Sequence, residues 1–128
     1  MRYLLDTHAF IWLDSIPASL SPKVAAICKD PANILFISIV SIWEMQIKLN
    51  AGKLILPKPL SEIVEWQQQN NSIQVLPVTL PHIFALEKLP PHHRDPFDRM
   101  LIVQAQLDDL IILSRDTEFA QYPITVTW

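Results

Sequence analysis

The sequence predicts an α/β fold with a mostly parallel sheet. Two observations carry that expectation. Short apolar runs of strand length alternate with segments of helical length and pattern, the signature of β-α repetition. The eleven prolines fall between these segments rather than in one tract. An all-helical alternative would have to absorb four β-rich apolar runs.

Arg2–Leu5 reads as a short central strand and Thr7–Asp14 as the helix leaving it. Ser21 and Pro22 make a helix start, Ser as N-cap and Pro in the first turn, leading into Lys23–Lys29. Asn33–Ser38 is a run of strand length, and Ile39–Ala51 follows as a helix that Gly52, the only glycine in the chain, would end. On that helix Ile39, Ile42, Trp43, Ile47 and Leu49 lie largely on one side, while Glu44 and Lys48 share another, four residues apart. Pro57 and Pro59 mark a turn before Ser61–Asn70, a helix expected to be capped by Ser61. Ile73–Val78 is strand-like but contains Pro77, which places it near a sheet edge. Leu80–Leu89 reads as helix, Pro90 and Pro91 force a loop, and Pro96–Leu107 forms the next helix. Leu110–Leu113 is a fourth strand and Ile124–Val126 a short fifth.

At 128 residues the chain is expected to form one domain, 1–128, able to bury roughly 65–70% of its unfolded surface. A net charge of −3 argues against a strongly basic, non-specific nucleic-acid binder. It leaves room for a nuclease, because metal ions and a few local Arg or Lys residues can offset acids. The lone Cys28 rules out an internal disulfide and a Cys-based zinc site. One glycine cannot build a P-loop or a dinucleotide-binding turn. Asp6 interrupts the apolar start, so no secretory signal is read there, and no apolar run approaches the ~20 residues that span a bilayer. A cytosolic, membrane-free protein is the expectation.

The chemistry concentrates in acids at matching places. Asp6 directly follows the first strand, Asp116 follows the fourth, and Glu44 lies early in the helix after the second. His92–Arg99 adds Asp95 and Asp98 beside basic side chains at a helix start. Acids at the carboxyl ends of parallel strands converge on one rim, where hard divalent cations can be held. Neighbouring cations suggest an anionic substrate, most simply a phosphodiester, and hence a metal-dependent nuclease. Each acid also has an ordinary role to fill. Asp6 and Asp116 could cap the turns that follow them, and Glu44 could form a surface pair with Lys48. Asp98 is assigned to metal; Asp95 is left as helix cap, outer-sphere ligand or alternative ligand. Arg99, Lys48, Arg115 and Ser114 are candidate substrate contacts, alongside Arg94 and Lys53. His92 and His93 are expected in a solvated loop. The spacing of His8, His82, His92 and His93 matches no common zinc signature. Trp12, Trp43 and Trp66 are expected in core or interface rather than as base-stacking platforms.

Taken in order, four segments resemble the PIN-domain family, specifically the toxin ribonucleases of bacterial type II toxin–antitoxin pairs. They are Leu4-Leu5-Asp6-Thr7-His8, Ser38–Lys48 with Gly52-Lys53-Leu54, Asp95–Leu101, and Leu113–Asp116 with Phe119. The resemblance covers nearly the whole chain, departing only in Ser114 where Thr is frequent and in the additional acid Asp95. It implies a three-layer α/β/α domain and Mg²⁺- or Mn²⁺-dependent RNA cleavage, with Asp6, Glu44, Asp98 and Asp116 as the acidic site. It also implies a homodimer and an inhibiting antitoxin. Two other roles stay open: a housekeeping RNA-processing nuclease, and a PIN-like module that binds RNA or protein without cutting. A Mg²⁺-dependent phospho-receiver is disfavoured, because the third strand ends in Pro77-Val78-Thr79 rather than a phospho-accepting Asp.

Overall fold

The alternation of side chains along the strands accounts for the layers. The computed structural model describes residues 1–128. Its strands are β1 (Arg2–Leu5), β2 (Ile34–Ser38), β3 (Gln74–Leu76), β4 (Ile111–Leu113) and β5 (Val126–Thr127). Its α-helices are α1 (Thr7–Ser15), α2 (Pro22–Lys29), α3 (Ile39–Asn50), α4 (Leu60–Asn70), α5 (Leu80–Ala85) and α6 (Pro96–Asp108). Leu4, Phe36 and Ile112 join one core with Leu101, Ile102 and Val103 of α6. Tyr3, Leu5, Leu35, Ile37 and Leu113 join a second with Ala9 and Phe10 of α1, Val24 of α2 and Ile63 of α4. Neighbouring strand residues thus enter opposite cores, which requires helices on both faces of the sheet. The result is the three-layer α/β/α arrangement.

All four strand pairings are parallel, in the order β3-β2-β1-β4-β5. β3, with Pro77 just beyond it, is an edge strand as its proline requires. The central β1 pairs with β2 from Arg2↔Ile34 to Leu5↔Ile37 and with β4 from Tyr3↔Ile111 to Leu5↔Leu113. Gly52 ends α3 with φ +70°, where Gly52 N–H reaches the Leu49 carbonyl (3.2 Å) and Lys53 N–H the Lys48 carbonyl (2.9 Å). That is the paired closure a left-handed residue permits at a helix end.

Four local expectations change. α4 begins at Leu60 with Pro59, not Ser61, at its cap. Proline's restricted φ, here −54°, already directs the chain into the turn, and Leu60 is buried beside Ile63. The Leu80–Leu89 segment is α-helical only to Ala85 and tightens to a 3₁₀ turn at Leu86–Lys88, because Leu89 must be extended before Pro90. β5 falls at Val126–Thr127, set by the bonds of Ile112 N–H to Thr125 and Ser114 N–H to Thr127. Trp43 and Trp66 are exposed, at 61% and 51%, which removes the core half of their core-or-interface reading and leaves the interface half. The apolar stripe Ile39-Trp43-Ile47 faces out, while α3 buries Val40, Ser41, Glu44 and Met45.

Candidate active site

From β1 the chain builds outward through β2 to β3, then returns to lay β4 on the other side of β1. Connections leaving the carboxyl ends of β1 and β4 therefore run to opposite sides and open a crevice between them. Asp6 is the first residue past β1 and Ser114 the first past β4. Asp6 Oδ1 accepts from Ala9 N–H at 2.8 Å, capping α1, while Oδ2 accepts from the Ser114 hydroxyl. Ser114 Oγ in turn accepts from Asp116 N–H at 3.0 Å. Burial raises the Asp6 carboxyl above its ordinary value, partly offset by the Ser114 and Ala9 hydrogen bonds and by His8.

Glu44 is buried at the same crevice, not on a solvated helix face. Thr7, next to Asp6, donates its hydroxyl to Glu44 Oε1 at 2.7 Å, and Lys48 Nζ lies 2.9 Å from Oε2. The i,i+4 pair foreseen in the sequence is present, but it holds a buried acid in place.

Asp95 caps α6: its Oδ1 accepts from Phe97 N–H (2.8 Å) and Asp98 N–H (3.1 Å). Asp98, in the first turn, is pushed up to about 7 by burial first, then by Asp95, Glu44 and Asp6, with His93 opposing. Its potential therefore registers Asp6 and Glu44 as near negative neighbours. Asp116 adds to the same field at Asp6.

His93 completes the cluster. It is buried, contrary to the solvated loop expected, and its Nε2 lies 3.0 Å from Asp98 Oδ2, 3.4 Å from Asp116 Oδ2 and 3.3 Å from Glu118 Oε2. Donor atoms of His93, Asp98 and Asp116 all fall within 4.8 Å of one another. Arg99, expected at the substrate, spends its guanidinium on the loop before α6, donating to Leu89, Pro90 and His93 carbonyls at 3.0–3.2 Å. Arg115 and Arg94 are exposed. His82 and His92 do not join the cluster, His82 pairing with Asp108 (2.8 Å) and His92 standing against Tyr122, while His8 lies near enough to Asp6 to lower its pKa. The donor set at the crevice, carboxylate oxygens with one buried imidazole, fits a hard divalent cation and not a zinc cage of histidines.

A family model described as PIN domain matches residues 3–124. The chain belongs to the PIN domain family. No match was found among curated protein sequences. Among solved structures, this PIN domain is similar to VapBC2 from Rickettsia felis bound to a promoter DNA fragment (TM-score 0.74, 14% identity, 99% of this chain and 98% of that one). It is similar to FitAcB from Neisseria gonorrhoeae (TM-score 0.65, 19% identity, 100% and 97%). It is also similar to a toxin–antitoxin complex from Klebsiella pneumoniae (TM-score 0.58, 18% identity, 98% and 96%). At these identities the likeness is one of fold.

Sequence reasoning missed His93 and Glu118 in this PIN domain. Nothing in the adjacent pair His92-His93 distinguishes the exposed ring from the buried one. The distinction is made by Tyr122, twenty-nine residues on, whose hydroxyl accepts from His93 N–H at 2.8 Å.

Proposed function

We propose that residues 1–128 act as one metal-dependent endoribonuclease domain, the toxin of a toxin–antitoxin pair. The observation that carries this reading is the gathering of Asp6, Glu44, Asp98 and Asp116 at the switch point of a parallel PIN-domain sheet. These four carboxylates would hold Mg²⁺ or Mn²⁺. When bound, such an ion supplies water activation and charge neutralisation for phosphodiester hydrolysis. Ser114 and Thr7 orient Asp6 and Glu44 through their hydroxyls. Lys48 fixes Glu44 and, with exposed Arg115, offers positive charge to the RNA backbone. Arg99 enters this reading as the brace of the Leu89–His93 loop rather than as a phosphate contact. With few cations at the crevice, single-stranded RNA is the substrate that local contacts can select.

The toxin assignment draws on the VapBC, FitAB and Klebsiella complexes whose fold this chain shares, and an antitoxin partner comes with it. The exposed stripe Ile39-Trp43-Ile47 suits an aromatic-anchored protein interface, including a homodimer. No helix is long and apolar enough to cross a membrane, and a cytoplasmic site of action is part of the proposal.

Purified protein incubated with single-stranded RNA should cleave it with Mg²⁺ and not with EDTA, and the Asp6→Asn variant should be inactive. Expression alone should arrest growth, and a small neighbouring gene should relieve the arrest. Cleavage without arrest would favour a housekeeping RNA-processing nuclease. Bound but uncut RNA would favour a non-catalytic module.

A further inference from the structure

His93 has a partner at every polar atom. Its N–H donates to the Tyr122 hydroxyl (2.8 Å) and its carbonyl accepts from Arg99 (3.2 Å). Its Nδ1 accepts from Asp95 N–H (3.3 Å), and its Nε2 faces Asp98, Asp116 and Glu118. The ring also lies against Phe119, centroids 5.7 Å apart. A backbone N–H is only a donor, so Nδ1 must carry a lone pair and the ring proton must sit on Nε2. His82 shows the same logic elsewhere: Nδ1 accepts from Thr79 N–H and Nε2 faces the Asp108 carboxylate.

An Nε2 that bears a proton has no lone pair for a metal. We propose that His93 is a positioning residue that donates its Nε2–H to the Asp116 carboxylate, with Asp98 Oδ2 and Glu118 Oε2 close by at 3.0 and 3.3 Å, and is not itself a metal ligand despite lying among them. The positive end of that N–H, bonded to Asp116 and facing the other two acids, offsets their mutual repulsion. It thereby holds Asp98 at the start of α6 and Asp116 after β4 in the register that a cation would need. The inference rests on the metal-site reading above and assigns within it a residue outside the four acids.

Two measurements test it. In ¹⁵N-histidine-labelled wild-type protein at about pH 8, two-bond ¹H–¹⁵N correlations should show the Nε2–H tautomer for His93, unchanged when Mg²⁺ is added. An Nδ1–H tautomer, a doubly protonated ring, or loss of the Nε2 proton on adding Mg²⁺ overturns the assignment. Calorimetric Mg²⁺ titration should then show affinity about 10–100-fold weaker in His93→Ala, the usual cost of losing a partner that orients a ligand. His93→Gln, whose amide N–H can reach the Nε2 position, should recover most of it. Wild-type affinity in a folded His93→Ala overturns the positioning role alone. Failure of the wild-type protein to bind Mg²⁺ overturns the metal-site reading and takes the positioning role with it, and the tautomer spectrum of the metal-free protein still decides the hydrogen-bond assignment separately.

Discussion

The Ser114 hydroxyl donates to Asp6 Oδ2 across 108 residues of sequence. It does so because β1 and β4 are neighbours whose carboxyl ends meet at the switch point of the sheet. One oxygen of Asp6 is committed to capping α1, so Ser114 is the side chain that orients the other. Ser114→Ala should weaken Mg²⁺ binding about 10–100-fold by calorimetry. Ser114→Thr keeps the hydroxyl and should bind as the wild type does.

Asp6→Asn and Asp98→Asn should each lower RNA cleavage by orders of magnitude at saturating Mg²⁺, since a neutral amide is a poor ligand for a hard cation. Asn is as good an N-cap as Asp, so the α1 cap at position 6 survives and circular dichroism should show both variants folded. Near-wild-type cleavage in either variant would remove that residue from the site.

Asp98 also sets a pH dependence. Its folded value of about 7 lies above its ordinary 3.8. Folded, metal-free protein thus holds a proton that the unfolded chain releases, and the stability this confers is full below about pH 4 and lost as pH rises through about 7. In EDTA, Asp98→Asn should therefore be more stable than wild type at pH 8, on the order of 1–4 kcal/mol, and the gap should close towards pH 4. A gap that stays constant across that range would show that Asp98 is not the titrating group.

Asp95 should behave differently from its neighbour three residues on. Its carboxylate accepts two N–H groups of the first turn of α6, so Asp95→Ala should cost about 0.5–2 kcal/mol in denaturant melts. The folded fraction should still cut RNA. Catalytic loss with an unchanged melting temperature would exchange the roles given to Asp95 and Asp98.

Arg99→Ala should loosen the Leu89–His93 loop that its guanidinium holds through three carbonyls. Hydrogen exchange at His93 and Asp95, whose N–H groups are bonded in that loop, should quicken. Arg99→Lys should not rescue it, because an ammonium lacks the planar fork that spans those carbonyls. Protection equal to wild type in Arg99→Ala would return the residue to the list of substrate contacts.

Most of the architecture was legible because strand and helix periodicities are local. Arg2–Leu5, the helix after Asp6, the edge strand before Pro77 and the glycine closure at Gly52 each depend on a few neighbouring residues. The rim position of Asp6 and Asp116 was legible for a related reason: residues just past the ends of parallel strands stand at one rim, whatever the details of packing. Where local signals competed with burial, burial won. Leu60 moved a helix start away from Ser61, and the outward turn of α3 put Trp43 in solvent and Glu44 in the interior.

What the sequence by itself determined is therefore the fold class, a mostly parallel sheet and the rim on which Asp6 and Asp116 stand. The tertiary structure alone decided which side chains complete that rim. His93 is buried among Asp98, Asp116 and Glu118 while His92 is not, and the Ser114 hydroxyl serves Asp6. Those outcomes hang on single hydrogen bonds between segments twenty to a hundred residues apart, such as His93 to Tyr122 and Ser114 to Asp6. A pattern that repeats every two or every 3.6 residues carries no information about such contacts, because a hydrogen bond of about 3 Å depends on where two separate elements come to rest.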